Sequence, residues 1–173
     1  MQTFLRRVVL PAVGLMALFV LVPVSPAAAI EPKQIVNNHS YRCLGVANGL
    51  AGIWLCATSS KDQAWHRDEC HPVYYTYCLV KNDRDECLAV VGGNTTNGSR
   101  VLGFPCTKSE DQYWAPYYGT LNWRDNLTNL RASRANGWQP YVLAVDSIRT
   151  DNGAPVVIWR WNGSADQSWS WLF

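Results

Sequence analysis

The sequence predicts an all-β fold, and three observations support that prediction. Apolar and polar residues alternate in short runs, and the runs are separated by segments rich in Gly, Asn and Thr. Beyond the first 29 residues, no stretch keeps an apolar period of 3.6 residues, which a packed helix would require. The third observation is an internal repeat, because one unit of sequence occurs three times.

The first 29 residues have the organisation of a secretory signal peptide. Arg6 and Arg7 precede an apolar run from Val8 to Val24, and the small residues Ala27-Ala28-Ala29 follow. Cleavage near Ala29 leaves residues 30–173 as a single domain with no second apolar segment to span a membrane. The protein is therefore predicted to be secreted, by either the general or the twin-arginine route.

The charge balance argues against nucleic acid as a partner. Removing Arg6 and Arg7 from the 15 basic residues leaves 13, equal to the 13 acidic residues of the chain. A neutral domain without a run of basic residues lacks the charge pattern that binds phosphate backbones.

The repeated unit ends in Asp-Gln-x-Trp, with its Trp at positions 65, 114 and 169. Each copy begins with an x-Leu-x-Val strand, followed by a turn and a second strand that carries an aromatic residue near its end: Trp54, Phe104 or Trp159. A unit of about 50 residues is too small to bury its own apolar face, so three copies are expected to share one core. With about four strands in each copy, about twelve short strands are predicted, consistent with a closed barrel capped by hairpins.

Three copies of Cys-Leu-x-Val, aromatic-x-Cys and Asp-Gln-x-Trp in register resemble the ricin-type β-trefoil lectin family, and the resemblance covers essentially all of residues 30–173. In the third copy, Val142 and Trp161 stand at the two Cys positions. The resemblance implies a pseudo-threefold β-trefoil that binds glycans without catalysis.

All six cysteines lie after the signal segment, and an even number in an exported chain indicates three disulfides. Counting alone leaves 15 possible pairings. The family resemblance implies that Cys43 pairs with Cys56 and Cys87 with Cys106, which leaves Cys70 to pair with Cys78.

No catalytic group of residues is recognisable. The three histidines, His39, His66 and His71, fit neither a metal motif nor a nucleophile pair, and no Gly-x-Ser-x-Gly occurs. The acids around Asp85 are typical of a solvated turn. The sequence therefore predicts a protein that is not an enzyme and that needs no cofactor or metal.

The repeated Gln and Trp have a structural interpretation. Trp65, Trp114 and Trp169 are expected to fill the core, because large aromatic side chains dominate small cores. The preceding glutamines, Gln63, Gln112 and Gln167, are expected to satisfy backbone groups at the neck of each hairpin.

The resemblance also implies a sugar pocket in each repeat, built from an Asp, a polar residue, an aromatic platform and the acid before Gln. The corresponding residues are Gly45, Gly52, Trp54 and Asp62 in repeat one, Ala89, Leu102, Phe104 and Asp111 in repeat two, and Ala144, Val157, Trp159 and Asp166 in repeat three. The platform and the last acid are kept, whereas the first two polar groups are missing. Asp146 shares the face of Ala144 on an extended strand, so repeat three is predicted to keep the best pocket.

A long segment separates repeats two and three and is rich in Trp and Arg. One interpretation is an enlarged hairpin that packs on the barrel, and the other is a protein-binding surface. The candidate contact residues are Trp123, Arg124, Arg131, Arg134 and Trp138.

The leading functional hypothesis is a secreted lectin module whose partner is a glycan or polysaccharide. The alternative is an interaction or targeting subunit of a secreted assembly, such as a toxin complex, in which the sugar sites have decayed and the partner is another secreted protein.

Overall fold

The computed structural model describes residues 33–116 and 126–171. These residues form one antiparallel sheet of 12 strands, in agreement with the all-β prediction. The strands are β1 (Ile35–Asn37), β2 (Arg42–Ala47), β3 (Leu50–Trp54), β4 (Trp65–Cys70), β5 (Cys78–Asn82), β6 (Glu86–Val90), β7 (Ser99–Pro105), β8 (Tyr113–Pro116), β9 (Leu127–Asn129), β10 (Tyr141–Val145), β11 (Ala154–Arg160) and β12 (Trp169–Trp171). The predicted signal peptide lies outside the described residues, and no helix within them is long and apolar enough to cross a membrane.

Each repeat contributes a hairpin of the same register. Cys43 faces Trp54 across β2 and β3, Cys87 faces Phe104 across β6 and β7, and Val142 faces Trp159 across β10 and β11. The second strands of the three hairpins also pair with one another in all three combinations. The hairpins therefore meet on one side of the molecule.

The first hairpin turns at Asn48 and Gly49, between the paired residues Ala47 and Leu50. Both turn residues have positive φ, 52° and 77°. Asn-Gly is the sequence that accepts this two-residue turn, whose twist matches that of the flanking strands.

The first and last described strands pair with each other. Asn37 of β1 lies opposite Trp169 of β12, and the Asn37 amide donates to the backbone oxygen of Asp166 at 2.9 Å. The chain therefore returns to its starting point, and repeat one packs directly against repeat three.

Three buried tryptophans hold the core together in the same way. The indole nitrogens of Trp65, Trp114 and Trp169 donate to the backbone oxygens of Leu44, Leu88 and Leu143 at 2.9, 2.8 and 3.0 Å. All three rings are essentially inaccessible to solvent. The prediction that these residues form the core is confirmed. Each bond joins the strand that contains the motif tryptophan to the first strand of the hairpin in the same repeat.

The glutamines satisfy backbone groups at the hairpin necks, as predicted. The amide nitrogens of Gln63, Gln112 and Gln167 donate to the oxygens of Leu55, Pro105 and Arg160. Their amide oxygens accept from the backbone nitrogens of Ala57, Thr107 and Asn162. Each glutamine thus holds together the two ends of the segment that leads from the hairpin to the motif.

The structure contains three disulfides, Cys43–Cys56, Cys70–Cys78 and Cys87–Cys106. Two of them are the pairs that the family resemblance implies, and the third is the remaining pair, so all three predicted pairs are confirmed. The first and third join the two strands of their hairpins near the ends of β3 and β7, whereas Cys70–Cys78 closes the loop between β4 and β5.

The segment between repeats two and three contains a short helix that the sequence analysis did not predict. This helix, α1 (Leu130–Ala135), begins where the Asn129 side chain accepts the backbone N–H of Ala132 at 3.1 Å. Leu130, Ala132 and Ser133 are buried against the barrel. Trp123 and Arg124, which precede the helix, lie outside the described residues.

Replacing Gln112 by Met should destabilise the fold by about 2 kcal/mol, because the Thr107 N–H and the Pro105 oxygen lose a buried partner. Urea unfolding of the oxidised protein measures the effect. The matched control is Gln139→Met, at an exposed glutamine outside the repeated position. Equal destabilisation by both substitutions would contradict the structural role of Gln112.

Candidate functional site

The residues that replace the missing polar groups face each other across the hairpins. Gly45 pairs with Gly52 in repeat one, Ala89 with Leu102 in repeat two, and Ala144 with Val157 in repeat three. Directly opposed residues on one face form the floor of the predicted pocket. This floor is apolar in all three repeats, so any polar recognition must come from the surrounding turns.

A serine fixes the turn that carries each motif acid, and the sequence analysis missed it. Ser60, Ser109 and Ser164 each stand two residues before the Asp, and their backbone oxygens accept the N–H of the motif Gln at 3.0, 2.9 and 3.1 Å. In repeats one and three the serine hydroxyl also donates to the Asp carboxylate. The signal was available, since the full repeated motif is Ser-x-Asp-Gln-x-Trp.

In repeat one, the motif acid already accepts hydrogen bonds from other groups of the protein. Asp62 is 8% exposed, and one carboxylate oxygen accepts from the Ser60 hydroxyl at 2.6 Å and from Arg84 at 3.2 Å. The other oxygen accepts the backbone N–H of Val46 at 3.2 Å. The sequence analysis did not identify Arg84, which is 22 residues from Asp62 along the chain.

The rest of the repeat-one pocket is crowded. A Cβ atom on Gly45 would lie 2.9 Å from the Asp62 carboxylate, so no side chain fits at this position. The Trp54 ring packs closely against Gly153 of repeat three, which leaves it only partly accessible. A groove of about 500 Å³ remains beside Trp54 and Arg84.

In repeat two, Phe104 is 47% exposed and Asp111 is half-buried. Val91 occupies the position in repeat two that Asp146 occupies in repeat three. This position therefore carries no carboxylate in repeat two. Repeat two therefore offers an aromatic face and one acid above an apolar floor.

In repeat three, the three predicted residues line one cleft of about 230 Å³. Trp159 is 39% exposed, Asp166 is 6% exposed and Asp146 is half-buried. We call this the repeat-three cleft, and its lining residues are Ala144, Val145, Asp146, Ser147, Ile148, Val157, Trp159, Asn162, Ser164, Asp166 and Gln167. Ser147, Asn162 and Ser164 are the polar members that sequence reasoning did not single out.

Asp146 reaches the cleft from a turn, which corrects the expectation that it continues the strand. Strand β10 ends at Val145, and Asp146 begins a 3-10 turn in which Ser147 has a φ of 56°. The Ser147 hydroxyl donates to the Asp146 carboxylate at 3.2 Å. The turn therefore presents the carboxylate at the rim of the cleft, above Ala144.

The nearest described arginine on the same turn is already paired. Arg149 donates to both carboxylate oxygens of Asp151, which lowers the pKa of Asp151. The same pairing raises the pKa of Arg149, and the charge of Asp146 adds a smaller increase. No Lys, Arg or His is among the residues that line the cleft. Its two carboxylates therefore have no cation within the cleft itself.

The two described arginines of the predicted protein-binding segment bind the protein's own surface. Arg131 donates to the backbone oxygen of Gly93 at 2.7 Å. Arg134 pairs with Glu110, and its guanidinium lies 5.4 Å from the centre of the Tyr74 ring. Both contacts hold α1 against the barrel, as the enlarged-hairpin interpretation requires. Trp138 lies beside Tyr74 but remains 53% exposed.

A further cavity of about 390 Å³ lies beside β1 and contains none of the predicted pocket positions. It is lined partly by Lys33, Thr58, Lys61 and Asp83. Among residues 33–116 and 126–171, no group of His, Cys, Asp or Glu side chains is placed to hold a metal ion.

The structure is similar to several solved structures. ThreeFoil, a designed threefold-symmetric protein, has a TM-score of 0.67 at 19% identity over 79% of this chain and 94% of its own. A ricin B-like lectin from Macrolepiota procera, solved with lactose, has a TM-score of 0.65 at 14% identity over 84% of this chain and 97% of its own. An exo-β-1,3-galactanase from Clostridium thermocellum has a TM-score of 0.68 at 16% identity, and the match spans 83% of this chain but 30% of the enzyme.

No family sequence model matches the chain, and no curated protein matches it by sequence. The structural likeness nevertheless extends over nearly the whole length of the fungal lectin. The chain therefore has the fold of ricin B-like lectin domains.

Replacing Arg84 by Met should destabilise the protein by about 1 kcal/mol, because Asp62 stays buried after losing its cation and the pair is only partly exposed. Urea unfolding at low and high salt measures the effect, which should be smaller in high salt. The control, Arg149→Met, removes an exposed pair and should change stability much less than Arg84→Met does. An Arg84→Met variant as stable as the wild type would show that Asp62 does not depend on Arg84.

Proposed function

We propose that the protein is a secreted, non-catalytic carbohydrate-binding module, a ricin-type lectin domain that binds glycan in the repeat-three cleft. One observation carries the proposal: the exposed face of Trp159 and the carboxylates of Asp146 and Asp166 line a single cleft. An aromatic face beside hydrogen-bonding groups is the combination that sugar recognition requires, since a sugar ring has an apolar face and a rim of hydroxyls.

Each part of the cleft has a role in the proposed complex. The Trp159 ring stacks on the apolar face of one sugar residue. The Ser164 hydroxyl holds the Asp166 carboxylate in place. The remaining acceptor positions of that carboxylate accept hydrogen bonds from sugar hydroxyls. The apolar floor of Ala144 and Val157 supplies contact area without a polar group that would be left unpaired.

The proposed architecture is a β-trefoil of three repeats with about four strands each. Three features support it: the hairpins share one register, the second strands of the hairpins pair in all combinations, and each buried indole makes the same bond. The likeness to a designed threefold-symmetric protein agrees with this arrangement.

Two further observations support secretion and a binding role. Disulfides persist in oxidising compartments, and the structure has three of them behind a segment that reads as a signal peptide. The match spans 97% of the fungal lectin but 30% of the galactanase, so the shared part corresponds to a whole lectin and to a fraction of the enzyme.

Replacing Trp159 by Ala should remove glycan binding, because the stacking platform is lost. Retention on a glycan array and in polysaccharide pull-downs measures binding, and Trp159→Phe should keep part of it. The control is Phe104→Ala at the equivalent position of repeat two, which should bind like the wild type. A folded wild type that binds no glycan, or a Trp159→Ala variant that binds equally well, would refute the proposal.

A second candidate function is an interaction subunit of a secreted assembly, and one surface favours it. Trp138, Val73 and Tyr75 are exposed apolar residues, and Tyr74 contacts Trp138. Exposed aromatic residues near arginines are typical of protein-binding hot spots.

Under this alternative, a stoichiometric partner should co-purify from culture supernatant with the wild type. Trp138→Ala should release that partner, whereas Trp159→Ala should retain it. A protein that elutes alone, with unchanged glycan binding in Trp138→Ala, would exclude this function.

A further inference from the structure

The repeat-three cleft differs from the other two repeats in its charge. The position of Asp146 corresponds to Ala47 in repeat one and Val91 in repeat two, counting from the matched hairpin strands. Among the described hairpins, only repeat three therefore has a carboxylate at this position.

The cation that neutralises the acid in repeat one has no counterpart in repeat three. Arg84 lies three residues before Cys87, in the repeat that follows Asp62 along the chain, and it pairs with Asp62 at 3.2 Å. Repeat one pairs with repeat three through β1 and β12, and the residue three before Cys43 is Ser40. The Ser40 hydroxyl donates to the side-chain oxygen of Asn37 and does not reach Asp166. Counting back from the matched cysteine, an uncharged residue stands at the position of Arg84, and no basic residue is among those that line the repeat-three cleft.

The remaining contacts leave both carboxylates able to accept a cation. Asp166 accepts the Ser164 hydroxyl, Asp146 accepts the Ser147 hydroxyl, and both donors are neutral. Arg149, on the same turn as Asp146, donates its hydrogen bonds to Asp151. A partly enclosed cleft with two carboxylates and an aromatic face favours a positive charge, because carboxylates and ring faces both attract cations.

Resting on the proposed function, we infer that the repeat-three cleft selects amino sugars that carry a free ammonium group over their N-acetylated, neutral or acidic counterparts. The ammonium donates charge-assisted hydrogen bonds to Asp146 and Asp166 while the sugar ring stacks on Trp159. N-acetylation removes the charge, and a uronic acid or a sulfate brings a like charge toward the two carboxylates.

The test uses three oligosaccharides of equal length and the same β-1,4-glucan backbone that differ only at carbon 2: the amine, the acetamide and the hydroxyl form. Calorimetric titration of the oxidised protein gives the ratio of affinities for the amine and hydroxyl forms. We expect the amine form to bind about fivefold more tightly at low salt. The advantage should fall as salt is added, since a partly exposed charge contact is screened.

The variants separate selective recognition from general attraction of a polycation. Asp146→Asn should bring the ratio of affinities for the amine and hydroxyl forms close to unity. Asp146→Glu should leave most of the preference for the amine form. Asp111→Asn, at the motif acid of repeat two, removes the same charge elsewhere and should leave the ratio unchanged. Trp159→Ala should lower the affinity for all three forms.

Several results would overturn the selectivity. They are a ratio of unity or less in the wild type, an affinity for the amine form that is unchanged in Trp159→Ala, and an equal loss of ratio in Asp111→Asn and Asp146→Asn. If the neutral forms bind through Trp159 at a ratio of unity, the lectin function stands and the charge selectivity fails. If none of the three forms binds, the selectivity also fails, and the glycan array then decides the lectin function separately.

Discussion

Each repeat depends on one buried hydrogen bond, from a tryptophan indole to the backbone oxygen of the leucine in the first hairpin strand. An indole N–H that is buried without a partner costs free energy, so the ring is held where that oxygen lies. The motif turn immediately precedes the tryptophan in the chain, and the glutamine ties this turn to the end of the hairpin. As a result, the motif acid is held beside the hairpin floor in every repeat, whether or not that repeat binds anything. The scaffold and the site are thus built by neighbouring residues of one motif.

Because the scaffold holds each acid independently of its role, the three repeats have diverged in the surroundings of the acid. In repeat one, Arg84, Ser60 and a backbone N–H take up the Asp62 carboxylate, so this residue stabilises the junction between repeats. In repeat three the corresponding acid has a hydroxyl partner and no cation, beside an exposed indole and a second carboxylate. The same position therefore carries an ion pair in repeat one and a hydroxyl contact beside an exposed indole in repeat three.

The sequence alone predicts the parts of the molecule that repeat, and it misses the parts that occur once. The core tryptophans, the neck glutamines and the all-β class follow from in-register repetition, and the disulfide pairs follow from the family resemblance. Helix α1 is missed because a single capped turn and a half is too short to show a helical period. The Arg84 contact is missed because it joins residues 22 apart, which no local pattern records. The sequence analysis places Asp146 in the correct cleft but gives it an extended conformation. In the structure, β10 ends at Val145, one residue before it.

The pairing of β1 with β12 has a consequence for how the chain acquires its fold. Asn37 and Trp169 are neighbours in the sheet although 132 positions separate them in sequence. A ribosome-bound or partly translocated chain that still lacks β12 leaves the edge of β1 unpaired and the core beneath it open, and contacts of such long range form slowly. The seam between the first and last described strands therefore delays completion of the domain until β12 is available to pair with β1.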